Sequence, residues 1–240
     1  MLTLEEQNQL REAYRARHPG WQPATEVYAA LVRAHLQPYS RVLDLGCGRG
    51  GLVEQLDHPL AAIVGIDPDL DSLREHRLPL PRAQASSSHL PLAESAIDVA
   101  FASWLLEHLP QPGRDFAELA RVLRPGGAFV FITPNQRHPL ALLNRLLGRA
   151  GQAQRWLVSR LYGRAGGDTF PAYYRANSPA TIARLANENG MRLARLETIE
   201  DPTYLAFTPA LFTLAQRLGK RLPPSRRLHL AGVLVSEKSF

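Results

Sequence analysis

A run of glycines placed directly after a short apolar segment constrains this chain more than any other feature. Asp44-Leu45-Gly46-Cys47-Gly48-Arg49-Gly50-Gly51 continues from Val42-Leu43, and Val42–Leu45 reads as a buried parallel strand bounded by turn residues. A tight turn there needs backbone shapes that glycine adopts cheaply, and the missing side chains let a ligand approach the main chain. A helix is expected from Gly51 to Leu56, with its free N–H groups aimed at that ligand. Asp67 ends the second apolar run, about 20 residues on, where a partner for two ribose hydroxyls is expected.

The first half alternates strand and helix patterns, as a doubly wound sheet requires. Helices are expected at residues 2–17, 24–36, about 70–77 and 112–123, and strands at 42–45, 61–66, 82–85, 97–102 and 128–132, the last entered by a turn at Pro125-Gly126-Gly127. Ser178-Pro179 opens a further helix over 178–189 with an N-cap and a proline at its first position. Residues 192–199 and 231–236 read as a closing strand pair, making seven strands. Two stretches fall outside this alternation. Residues 135–176 place Leu140, Leu143, Leu146 and Leu147 at helical spacing beside Arg145 and Arg149, and residues 204–222 form a second apolar and basic stretch. Both read as lid or docking elements. The expected architecture is therefore α/β, a doubly wound, mostly parallel seven-stranded sheet with helices on both faces and a helical lid insertion. It forms one domain over 1–240, with N-terminal helices at 1–40, a ligand-binding core at 41–133, the insertion at 135–176 and the rest of the sheet at 177–240.

With 240 residues, 45% of them hydrophobic and 21% charged, the chain can bury an ordinary core. It holds no apolar run of the ~18–20 residues that a bilayer crossing needs. Its N-terminus lacks the layout of a secretory signal, and the single Cys47 excludes an internal disulfide framework, so a cytoplasmic setting is expected. No Cys/His cluster has metal-ligand spacing, so no metal is expected. The net charge of +6 is segregated. Residues 1–133 hold 12 basic against 16 acidic side chains, and residues 134–240 hold 16 against 6. A basic second half points to an anionic substrate or surface.

The glycine turn alone leaves two ligands open. Gly46, Gly48 and Gly51 also satisfy the G-x-G-x-x-G pattern of dinucleotide enzymes. Asp44, two residues before Gly46, tilts the balance, because a carboxylate there repels a pyrophosphate and suits a cation bearing an amino group.

The wider pattern is specific. Val42–Gly50 resembles the first motif of class I S-adenosylmethionine-dependent methyltransferases, and Ile66-Asp67-Pro68-Asp69 resembles the second. Leu90–Val99, Leu105-Leu106-Glu107-His108-Leu109-Pro110 and Leu119–Gly127 are similar to the motifs that follow, in the same order. The resemblance implies a Rossmann-like fold and S-adenosyl-L-methionine as cofactor. It places Asp44, Gly46, Cys47 and Gly48 at the methionine end, Asp67 on the ribose and Pro68 against the adenine. Ser86 and Ser87 stand beside the adenine, where the family often has an acidic residue and a small one, and Ser103 and Trp104 line the methionine part of the pocket.

A sulfonium is already a good methyl donor, so catalysis is mostly alignment and exclusion of water, with a base useful for a hydroxyl acceptor. His108 is the candidate base, or else it orients the loop beside Pro110. Tyr173, Tyr174 and Arg175 either close over the acceptor or pack the lid on the sheet. The other seven histidines, His138 and His229 among them, read as surface or loop residues. The expected acceptor is a small molecule, apolar or anionic, methylated on oxygen. Residues 135–165 are similar in placement to the insertion of quinone-pathway O-methyltransferases and suit either a peripheral membrane contact or an ordinary amphipathic helix packed on the sheet. Nucleic acid is the weaker alternative: the arginines are interleaved with leucines, and no RNA-binding module is present.

Overall fold

The computed structural model describes residues 2–139, 141–142, 171–206 and 208–238. The expected lid helix and the surface-helix stretch at 135–165 lie largely outside the described residues. Two helices, α1 (Leu4–Arg17) and α2 (Ala24–His35), precede β1 (Val42–Leu45), β2 (Ile63–Asp67), α3 (Leu70–Arg74) and β3 (Arg82–Gln84). Next come β4 (Ile97–Ser103), α4 (Pro112–Val122) and β5 (Leu123–Pro134). The chain ends with α5 (Pro179–Glu188), β6 (Met191–Ile199), α6 (Pro209–Gly219) and β7 (His229–Ser236).

The strands form one seven-stranded sheet in the order β3-β2-β1-β4-β5-β7-β6. Pairing is parallel from β3 to β5, and β7 runs antiparallel to both β5 and β6. Strand order reverses between β1 and β4, which opens a crevice at their carboxyl ends.

Both faces of the sheet are covered because its strands alternate large apolar side chains on either side. Phe129 and Phe131 of β5 join a core with Phe116 and Leu119 of α4 and Ile182 and Leu185 of α5. Val130 and Ile132 face the other way, into a core with Tyr28, Leu31 and Val32 of α2. The helices start as capping chemistry dictates. Thr3 and Glu6 form a reciprocal capping box on α1, and the Ser178 side chain accepts from the Thr181 N–H at the start of α5.

Three expectations are corrected. The helix expected from Gly51 to Leu56 is a single 3-10 turn, Leu52–Gln55, so no long helix aims its N–H groups at the glycine turn. The helix after β2 stops at Arg74 rather than near residue 77. The turn at Pro125–Gly127 is absorbed into β5 as an irregularity, the register stepping from Ile97↔Leu123 to Val99↔Ala128, with Gly126 at φ +71°. Residues 204–222 hold the 3-10 turn Pro202–Leu205 only at their start, followed by α6.

Gly232 marks the tightest point of the antiparallel join. It pairs with Phe131, and a Cβ there would fall 2.7 Å from Phe131 Cζ and 3.0 Å from the Arg195 carbonyl oxygen. Gly232→Val should therefore destabilise the fold by about 2–3 kcal/mol through overpacking, read as a lower urea midpoint. An unchanged midpoint would contradict this packing.

Candidate cofactor and acceptor site

The crevice at the carboxyl ends of β1 and β4 gathers most of the residues that the motifs single out. Gly46 follows β1 with φ +74°, and its N–H donates to the Ile66 carbonyl at 2.8 Å. A Cβ on Gly46 would press on Leu105 Cδ1 at 3.3 Å, so this glycine lets the β4 loop close over the turn. Gly48, at φ +49°, would meet no atom within 4 Å among the described residues. Its glycine answers to the backbone conformation and to open space above it, as a ligand cradle requires.

Asp67 holds this cradle in place. Its Oδ2 accepts from the Gly48 N–H at 2.9 Å and its Oδ1 from the Asp69 N–H at 2.8 Å. A carboxylate has about four acceptor positions, so capacity remains for a pair of ribose hydroxyls. Cys47 is turned away from the crevice. Its Sγ lies 2.8 Å from where a Gly65 Cβ would stand, its N–H is spent on the Ile66 carbonyl, and burial drives its thiol up to about 12. Its side chain thus serves packing rather than ligand contact.

Asp44 is buried at the end of β1, beside β4. Burial, and then the charge of Asp67, raise its pKa to about 7. A buried carboxylate raised in this way is relieved by a cation, and an amino-acid ammonium or a sulfonium is a cation of the right size. Nearby, the Ser103 hydroxyl donates to the Tyr28 hydroxyl oxygen at 3.3 Å. Trp104 then adopts φ +55°, a conformation rare for a bulky residue, while its N–H donates to the Ile132 carbonyl at 3.0 Å. The residues present therefore fit a ligand with a ribose at one end and a positive charge at the other.

After β3, where the adenine is expected, the serine hydroxyls are used internally. Ser87 Oγ donates to Asp115 Oδ1 at 2.5 Å, and the Ser86 and Ser88 hydroxyls bond one another at 3.0 Å.

The loop after β4 is clamped from residues 171–177. His108 Nδ1–H donates to the Pro171 carbonyl at 2.9 Å, and the Tyr173 and Tyr174 N–H groups donate to the Glu107 carbonyl at 2.7 and 3.1 Å. Arg175 donates to the Pro110 carbonyl at 2.5 Å, with its guanidinium 5.5 Å from the Tyr173 ring centroid. Tyr174 is buried at φ +53°, whereas Tyr173 is 40% exposed. Tyr174 and Arg175 thus tie this segment to the loop after β4.

Several polar residues at the same sheet edge escaped the sequence reading. Glu107 is buried, raised to about 7 by burial, and accepts from Thr133 Oγ1 at 3.0 Å. Asn177 donates to that same hydroxyl at 2.5 Å. His138 and His229, read as surface or loop residues, are both buried. The correction concerns burial: His229 begins an interior strand, and His138 lies in the turn region beyond the end of β5, folded against the protein. The signal available was their position at or beyond strand ends, not their neighbours in sequence. No cluster of side chains suited to a metal ion occurs among the described residues.

Comparison with known proteins fits this geometry. Residues 43–131 match the family profile described as "Methyltransferase domain". The chain is 30% identical over 190 residues to a ubiquinone biosynthesis O-methyltransferase of Thiobacillus denitrificans, covering 70% of this chain and 77% of that protein. It belongs to the class I S-adenosylmethionine-dependent methyltransferases. The dinucleotide alternative is thereby set aside. A structure of an S-adenosylmethionine-dependent methyltransferase from Mesorhizobium loti shares the fold, with a TM-score of 0.57, 19% identity and coverage of 86% and 96% of the two chains. A transposon-borne protein of Streptomyces fradiae is 34% identical over 108 residues, 41% of this chain. The chain spans only 31%, 43% and 50% of the length of that protein and of two mycobacterial relatives. Among the described residues no helix is long and apolar enough to cross a membrane.

Were Asp44 to hold the positive charge of this cofactor, the affinity would depend on pH. Because its pKa is raised, ionising it in the empty protein costs stability as pH rises from the ordinary carboxylate range to about 7. A bound cation needs the ionised form, so S-adenosylmethionine affinity should fall by up to about tenfold per pH unit below about 7. Asp44→Asn should weaken binding by at least about tenfold and flatten this dependence, measured by calorimetry. A pH dependence that persists unchanged in the variant would assign it to another group, such as Glu107, also raised to about 7.

Proposed function

We propose that this chain transfers the methyl group of S-adenosylmethionine to a hydroxyl oxygen of a small, apolar or anionic acceptor. The observation that carries the reading is the pair Asp44 and Asp67 at the tips of adjacent strands, one with its pKa raised to about 7 by burial and by its neighbour's charge, the other fixed under an open glycine turn. Asp44 binds the positively charged methionine portion, with Gly46, Ser103 and Trp104 around it. Asp67 and the Gly48 backbone hold the ribose, Pro68 lies against the adenine, and Ser86 and Ser87 border it through their backbone. When bound, the cofactor supplies a methyl group on a positive sulfur that leaves as a neutral thioether.

The chain's own part is to align the acceptor and take its proton. With Nδ1–H committed to the Pro171 carbonyl, the neutral His108 ring carries its lone pair on Nε2. His108 would orient the acceptor hydroxyl and take its proton at Nε2, leaving the oxygen to receive the methyl group that the bound cofactor would supply. Oxygen as the acceptor atom is supported by the likeness to ubiquinone biosynthesis O-methyltransferases from Thiobacillus denitrificans and Burkholderia pseudomallei. An anionic acceptor or an anionic membrane surface suits the excess of basic residues after position 134.

His108→Gln keeps a hydrogen-bonding side chain but removes the base. It should lower kcat by about 100-fold or more while leaving S-adenosylmethionine affinity within about twofold, measured with the acceptor once one is found by screening hydroxylated compounds. Equal turnover would remove the base role, and lost cofactor affinity would make His108 a loop-positioning residue.

A further inference from the structure

His229 is the polar residue that the fold explains least. It opens β7, opposite Pro134 of β5 and Ile199 of β6, and it is 0% exposed. Neither ring nitrogen has a hydrogen-bond partner among the described residues. A buried imidazole left so is costly in a folded protein, and nothing in the packing of β7 asks for one. Burial, and then the neighbouring His138, hold its pKa down at about 3, so the ring is neutral.

Its surroundings are aromatic. The Trp104 ring stands edge-on at 5.1 Å and the Tyr204 ring at 4.8 Å, and those two rings lie 5.4 Å apart. Trp104 is the residue held at φ +55° directly after Ser103, so the strained end of β4 brings its ring to this histidine. Leu105, the next residue, touches Gly46 of the cofactor turn. In the order β1-β4-β5-β7, His229 stands three strands from Asp44, roughly 14 Å at ~4.8 Å per strand.

We propose that His229 binds the acceptor, its ring nitrogen hydrogen-bonding a hydroxyl on a planar apolar molecule whose body packs against Trp104 and Tyr204. This rests on the methyltransferase reading above and narrows its substrate to a hydroxylated aromatic or similarly flat compound. A neutral imidazole offers one donor and one lone pair, and a hydroxyl matches whichever of them faces it. A fully buried ring meets a ligand only when a covering group turns aside. Tyr204 is the covering ring open to solvent, 38% exposed on the single 3-10 turn Pro202–Leu205.

Catechol is a suitable probe, with its doubly O-methylated form 1,2-dimethoxybenzene as a control lacking hydroxyl protons. Each is titrated calorimetrically into protein saturated with S-adenosylhomocysteine. The wild type should bind catechol and prefer it over the dimethoxy compound. His229→Phe should weaken catechol binding by about tenfold, leave S-adenosylhomocysteine affinity unchanged, and melt at the same or a higher temperature, since it removes two unsatisfied atoms. Failure of the wild type to bind catechol, equal binding by the variant, or a lower melting temperature marking a structural histidine would each overturn the proposal. Absence of S-adenosylhomocysteine binding by the wild type would instead strike the methyltransferase reading itself.

Discussion

The crevice depends on one carboxylate accepting from two backbone N–H groups. Asp67 ties Gly48 in the turn after β1 to Asp69 at the start of α3, and so fixes the tips of two parallel strands against each other. Its charge is balanced by those donors, whereas Asp44, on the neighbouring strand, has burial and a like charge beside it. The two acidic groups are therefore placed differently: Asp67 organises the glycine turn, and Asp44 is a buried carboxylate with its pKa raised to about 7. Any substitution at Asp67 would disturb the glycine turn together with the ribose site, so a loss of activity there cannot be divided between the two.

Polar groups collect at the carboxyl edge of this sheet for a topological reason. Parallel strands that end there leave their last side chains without a following strand to pair against, and the reversal of strand order between β1 and β4 keeps helices from covering the gap. Glu107, Thr133 and Asn177 share hydrogen bonds at that edge, yet Asn177 Oδ1 is left without a partner among the described residues. Such residues weaken a core that could have been closed with apolar side chains. Their presence together at one edge, and the apolar alternation maintained elsewhere in β4, β5 and β7, is the pattern expected when function outweighs local stability.

The sheet was legible because its strands carry their own boundaries. Val42–Leu45, Ile97–Ser103 and the antiparallel pair at Met191–Ile199 and His229–Ser236 all lie where short apolar runs end in turn residues. The helix expected after the glycine turn was not, because Leu52-Val53-Glu54-Gln55 has the composition of a helix start, and only the extended Leu56 ends it after one 3-10 turn. Of the site, the glycines and Asp67 stood out since their spacing is local. Glu107 and His229 did not: one was hidden beside a more conspicuous histidine, and the other gains its meaning from Trp104 and Tyr204, which are distant in sequence. Local spacing reports on backbone turns, while an acceptor pocket is assembled from the ends of several strands.

The left-handed conformation of Trp104 divides the residues that follow β4. On one side, Leu106 and Leu109 anchor the loop in the core shared with α4 and α5, leaving His108 between them against Pro171. On the other, the Trp104 ring packs with the core on the α2 face and meets His229 and Tyr204. An extended Trp104 would continue the alternation of β4 and put its ring where Leu105 now approaches Gly46. The strain at this residue is thus what allows a single loop to present a histidine on one flank and an aromatic wall on the other. The two proposed acceptor contacts, His108 and His229, thus belong to the two flanks that the Trp104 conformation separates. Were both roles to hold, an acceptor with two polar groups would be held more firmly than one with a single hydroxyl.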